Sequence, residues 1–250
     1  MASPWSESMD MTGDDMGPDT GPDTGPDMED LAQFRGGNWL RQFRFRDRVG
    51  RGAPLVDDDG LEIFQFVTLY THAQQPFLAS SQAKQLLQAK LQETKDQFGL
   101  KIAAYVMLDD HLHLLYATHF SQGVGCIVDS IRDGFAREWR RLQRREAKSL
   151  LGLDQPLWKA DFQSYPLNLQ EELRAHLNFI HYDPVRHGLV VRAADYTWSS
   201  LPARVRQGHY SEDWAVQTPP AGVAKVARAL YLASAQERHA SHETRRVCRG

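Results

Sequence analysis

The chain has 250 residues, 42% of them hydrophobic, enough to bury the core of one or two domains. Its net charge of −3 conceals a segregation: residues 1–34 hold nine acids and no Lys or Arg, leaving a net +6 on residues 35–250. A basic body suits a polyanionic partner, and two distant cysteines, Cys126 and Cys248, exclude a disulfide framework or a Cys-rich zinc site.

No apolar run reaches the ~18 residues that a membrane helix needs, and the acidic start is unlike a signal peptide. A cytoplasmic protein with no membrane partner is expected. In chain order, Gly17-Pro18-Asp19-Thr20 recurs at Gly21 and, as Gly-Pro-Asp-Met, at Gly25. Residues 1–34 therefore read as a disordered acidic tail. Arg35, Arg41, Arg44, Arg46, Arg48 and Arg51 follow, interleaved with Trp39, Phe43 and Phe45, a mixture suited to phosphates and bases.

The stretch 61–71 is rich in β-branched and aromatic residues and predicts a strand. A helix follows from a cap at Ser80 or Ser81 to about Phe98, stopped by Gly99. Strands are expected near 102–108 and 111–118, then a helix from about Val124 to Lys148. Ile127, Ile131, Phe135 and Leu142 form its inner stripe. Arg137, Arg140, Arg141, Arg144 and Arg145 spread over its outer side and are candidate DNA contacts.

A short strand near Phe162–Pro166 leads to a third helix, with Asn168 as N-cap, Glu171 completing a capping box, and Pro184 and Gly188 as its end. Strand–helix–strand–strand–helix–strand is the order of an α+β, ferredoxin-like split βαββαβ sheet with helices on one face. Residues 35–216 read as that domain, and 217–250 as a helical and basic extension, its helix running from Gly222 to about Glu237.

The strand at 111–118 opens His111-Leu112-His113. Side chains alternate along a strand, so both imidazoles share one face, a natural half of a metal site. Further along stand Leu157-Trp158-Lys159-Ala160-Asp161-Phe162 and Asp183-Pro184-Val185-Arg186-His187-Gly188-Leu189-Val190, which runs on to Asp195-Tyr196-Thr197-Trp198-Ser199-Ser200. Gly208-His209-Tyr210-Ser211-Glu212-Asp213-Trp214 completes the series.

With these four stretches in this order, the chain resembles the REP-associated tyrosine transposases, a branch of the HUH insertion-sequence (IS200-like) transposases, over roughly residues 40–216. The resemblance implies a metal-dependent single-strand DNA endonuclease and strand transferase acting on hairpin-forming repeat DNA. It makes His111 and His113 a metal pair and Asp183 the third ligand, for Mg²⁺ or Mn²⁺. An oxygen ligand suits either ion. Lys159 and Arg186, in matched motifs, become candidate DNA contacts.

The family nucleophile, a tyrosine, lies four residues before the third ligand, where this chain has Phe179. Phenylalanine has no oxygen with which to attack phosphorus. Two readings follow. Cleavage and strand transfer could use a displaced tyrosine, Tyr182, if the helix end unwinds before Pro184. Alternatively, the protein is a cleavage-deficient, sequence-specific DNA-binding protein. RNA binding, which such a sheet also permits, would favour aromatics where the histidines stand.

Overall fold

The computed structural model describes residues 63–118, 123–145, 155–216 and 218–234. The acidic tail, the arginine cluster at 35–51, Lys148, Cys248 and the basic chain end lie outside the described residues. Four strands form one antiparallel sheet in the order β2-β3-β1-β4: β1 is Ile63–Tyr70, β2 Lys101–Met107, β3 His111–Thr118 and β4 Gln163–Leu167. This is the spatial order of a split βαββαβ unit.

Alternation along β1 assigns its two faces. Phe64 and Phe66 enter one core and Val67 and Leu69 another. Helices α1 (Ser81–Phe98) and α2 (Val124–Arg145) share the second core, on one face of the sheet. Helix α3 (Gln170–Arg186) covers the opposite face through Leu173, Leu177 and Ile180. With both faces covered, every residue of β3 is buried, the two histidines included.

Local signals account for most element ends. Ser80 Oγ accepts from Ala83 N at 3.2 Å at the start of α1, and Gly99 takes a left-handed φ of 63° at its end. In α2, Ile127, Ile131 and Phe135 are buried at i, i+4, i+8 spacing, whereas Leu142 is half-buried.

Helix α3 departs from expectation at both ends. Leu169, not Asn168, is its N-cap, and the carboxylate of Glu172 rather than Glu171 accepts from the backbone N–H groups of Asn168 and Leu169 at 3.3 and 3.4 Å. The helix also continues through Pro184 to Arg186, and Gly188 turns the chain away with φ 69°. Pro184 has no N–H for the carbonyl four residues back, so the helix forgoes one bond in its last turn. The carbonyl of Pro184 accepts from Leu189 N at 2.9 Å.

Beyond α3, Ser199 bridges to Val106 on the β2 edge, and Tyr196 Oη donates to the Met107 carbonyl at 2.6 Å. Helix α4 (Leu201–Arg206) follows. Residues 223–234 form a further helix, α5, whose Val223, Val226 and Leu230 join the α3-side core. No helix among the described residues is long and apolar enough to cross a membrane.

Candidate metal centre

His111 and His113 lie on the sheet face covered by α3, paired across the ladder with Tyr70 and Thr68 of β1. Each is pinned through Nδ1. His111 Nδ1 donates to Asp110 Oδ1 at 2.6 Å, and His113 Nδ1 is hydrogen-bonded to Thr68 Oγ1 at 2.8 Å. Both bonds turn Nε2 toward α3. Such outer partners fix the tautomer and ring orientation of metal-ligating histidines.

The group they face is Asp183, fully buried on α3. Its Oδ2 lies 3.6 Å from His111 Nε2 and 3.5 Å from His113 Nε2, and it is buried with no hydrogen-bond partner. Its Oδ1 accepts from Arg186 Nε and Nη2, both at 2.8 Å. One oxygen is thus clamped, and the other faces both imidazoles without a hydrogen bond. A buried carboxylate oxygen without a partner costs about 1–3 kcal/mol or more, a cost that a divalent cation beside it would offset.

The donor set passes a distance test. Ligands at about 2.1 Å from a divalent ion lie roughly 3.0–3.5 Å apart, and one ligand atom from each of His111, His113 and Asp183 falls within a mutual 4.8 Å. Two imidazole nitrogens and one carboxylate suit a divalent first-row cation such as Mn²⁺.

The electrostatics agree. Burial opposes charge on His111, but Asp110 and Asp183 outweigh it and raise its pKa. Burial, reinforced by the neighbouring His111 charge, pushes His113 down to about 3, so it stays neutral and able to ligate. For Asp183, burial acts upward, yet His111, His113 and Arg186 together hold it well below the ordinary carboxylate range.

Phe179 sits one turn before Asp183, almost fully buried. Its ring meets the His113 ring edge-on at 5.1 Å and carries the Arg186 guanidinium 5.1 Å from its centroid. Position 179 therefore lines the cavity beside the ligands and supports the arginine that clamps Asp183. Tyr182 is half-buried on another side of α3, packed toward the cluster of Ala193, Leu201, Tyr210 and Trp214, and is not among the residues lining the cavity. The unwinding before Pro184 on which its displacement would depend is not present in the continuous helix.

A cavity of about 620 Å³ opens over the ligands, with Lys159, Arg186 and His187 on its walls. Lys159 reaches it because its backbone N–H donates to the Tyr70 carbonyl, while Arg132 on α2 donates to the carbonyls of Lys159 and Ala160 at 2.7 and 2.9 Å. The other α2 arginines are placed differently. Arg137, Arg140, Arg141, Arg144 and Arg145 stand on the helix that packs against the far face of the sheet, and Arg141 is paired with Glu138.

His176 and His181 serve the interior, the first bonded to Tyr165 Oη and the Glu172 carbonyl, the second to Tyr210 Oη and Ser200 Oγ. Asp110, Thr68 and Arg132 were absent from the sequence-based site. Asp110 had a signal, its position beside His111. Thr68 and Arg132 had none, since strand register and the far-side helix place them.

Residues 64–182 match the family model described as "Transposase IS200 like". The match runs from β1 into α3, across all four strands and both candidate histidines. The chain is 25% identical over 150 residues to the REP-associated tyrosine transposase of Escherichia coli K12, covering 60% of this chain and 83% of that protein. Among solved structures it resembles a REP-associated tyrosine transposase bound to a REP hairpin, with a TM-score of 0.51 and 20% identity over 67% of this chain and 92% of that one. At that identity the likeness is one of fold. Aromatic residues of the motifs singled out in the sequence pack in the interior: Trp158 in the α1/α2 core, and Tyr210 and Trp214 around His181.

Proposed function

We propose that this protein binds hairpin-forming repeat DNA through a divalent cation held by His111, His113 and Asp183, and that it does not cleave that DNA by the route of the family. The solved relative bound to a REP hairpin supports the partner class. The single observation that carries the reading is the pairing of a complete ligand set with a phenylalanine. The unpartnered Asp183 Oδ2 and two Nε2 atoms converge where a cation fits, while Phe179 fills the position beside them.

When bound, the cation would supply positive charge to a backbone phosphate of the DNA. The chain's own residues do the remaining work. Lys159 presents an ammonium to the phosphate backbone at the cavity wall. Asp110 and Thr68 orient the imidazoles, and Arg186 keeps Asp183 ionised and aimed. Cleavage requires an oxygen nucleophile to form a bond to phosphorus as the bond to the 3′-oxygen breaks, the hydroxyl proton leaving to solvent and the 3′-oxygen gaining one. Phe179 supplies no such oxygen.

The test incubates the full chain with Mn²⁺ and a single-stranded oligonucleotide that forms a hairpin. Wild type should bind in a Mn²⁺-dependent manner without a covalent adduct, and Phe179→Tyr should gain a 5′-phosphotyrosine adduct. A wild-type adduct that disappears in Tyr182→Phe would overturn the binding-only reading in favour of metal-assisted cleavage through Tyr182. Absence of Mn²⁺-dependent binding would refute the function altogether.

A further inference from the structure

Helix α5 closes one side of the cavity, although nothing in its sequence marks it for that position. Asn178 Nδ2 on α3 donates to the Ala221 carbonyl at 3.0 Å just before the helix, and Gln163 Nε2 on β4 donates to Ser234 Oγ at 3.0 Å at its other end. Val223, Val226 and Leu230 anchor it in the core. Gly222 brings the chain so near α3 that a Cβ there would stand 2.6 Å from that of Ala175. The helix is held along its length, so what it shows to the cavity is fixed.

It shows Tyr231. This side chain lines the same cavity as His111, His113, Lys159 and Arg186, yet it is 67% exposed. Burial does not explain its place, and among the described residues no ring packs on its face. The cavity lining therefore combines an exposed aromatic ring with two cationic side chains and both histidines of the candidate centre. A single nucleic-acid strand matches that arrangement. Its unpaired bases offer π faces and its phosphates offer charge, whereas a paired stem hides its base faces within the stack.

We propose that Tyr231 is the platform on which an unpaired base flanking the hairpin stacks, while the adjoining phosphate lies toward Lys159, Arg186 and the histidine pair. This inference rests on the DNA-binding reading above and adds to it a residue of α5, Tyr231, as the base contact in the cavity. The aromatic ring carries the interaction, and the hydroxyl is dispensable.

The test uses the full chain with Mn²⁺ and two labelled DNAs, a hairpin with a single-stranded flank and the same hairpin ending blunt, read by fluorescence anisotropy. Tyr231→Ala should weaken binding of the flanked hairpin about tenfold and leave the blunt hairpin within about twofold of wild type. Tyr231→Phe should bind both as wild type does. The melting temperature of each variant, expected unchanged at so exposed a position, separates a local effect from unfolding. Equal binding of the flanked hairpin by wild type and Tyr231→Ala overturns the platform while leaving DNA binding intact. A loss in Tyr231→Phe equal to that in Tyr231→Ala also overturns it, because the hydroxyl would then be the contact. If wild type binds neither DNA, the function proposed above fails and takes this inference with it.

Discussion

Asp110 offers the most direct examination of the metal centre, because it touches no proposed ligand position except through His111. Its carboxylate accepts the His111 Nδ1 proton at 2.6 Å, which fixes the tautomer and raises the basicity of the imidazole. Removing an outer partner of this kind typically costs about 10- to 100-fold in metal affinity, or about 1.4–2.7 kcal/mol. Asp110→Ala should fall in that range. Asp110→Asn keeps an acceptor but loses its charge. Charged acceptors exceed neutral ones by about 1 kcal/mol, so a loss near fivefold is expected from the asparagine.

Mn²⁺ titration by isothermal calorimetry at pH 7.5 measures both variants, with melting curves in chelator to verify folding. The pH dependence supplies a second reading. Metal must displace a proton from His111, whose raised pKa makes binding weaken as pH falls through that value. Asp110→Ala removes the principal raising partner, so its affinity should decline only at lower pH. Unchanged Mn²⁺ affinity in both variants would refute the assignment of His111 Nε2 as a ligand oriented by Asp110.

Three further outcomes follow from particular contacts. Arg186→Ala strips Asp183 Oδ1 of its donors, and with the guanidinium about a third exposed the metal-free protein should lose about 1–2 kcal/mol. It also removes the donors that keep Asp183 ionised and aimed, so the rise in melting temperature on adding Mn²⁺ should fall short of that of wild type. Gly222→Ala meets both a positive φ of 83° and the Ala175 contact. Left-handed strain of about 1–2 kcal/mol and overpacking of about 1–3 kcal/mol should lower the melting temperature by several degrees in a thermal scan.

His176 is buried, and burial lowers its pKa despite the bond to the Glu172 carbonyl. Below an unfolded value of about 6.5, the unfolded chain takes up a proton that the folded chain resists. The contribution to stability therefore falls as pH drops from about 6.5 toward the lowered folded value. Melting temperatures between pH 8 and pH 5.5 should decline less steeply in His176→Gln. A parallel decline would place the acid sensitivity elsewhere.

By itself the sequence determined the order of elements and the shared strand face of the two histidines. Alternation along β1 and β3, the 3.6-residue stripe of α2, Ser80 and Gly99 are local signals, legible because strand and helix periods bring a residue's own neighbours to one face. They fixed the split sheet and placed His111 and His113 side by side. The motif at Asp183 was legible only through resemblance, since no local rule relates residue 183 to residue 111.

Tertiary structure decided the rest. The third helix crosses the opposite face of the sheet, and only that crossing puts Asp183 Oδ2 within 3.6 Å of both imidazoles. Register alone sets Thr68 against His113. The same packing turns Tyr182 away from the cavity, clamps Arg186 onto Asp183 over the Phe179 ring, and gives α5 a wall of the cavity. These are non-local choices, made by which apolar faces must cover one another, and periodicity within a segment carries no information about its partner. The histidine pair was written in the chain; the approach of Asp183, its clamp by Arg186 and the surroundings of Phe179 were assembled by burial.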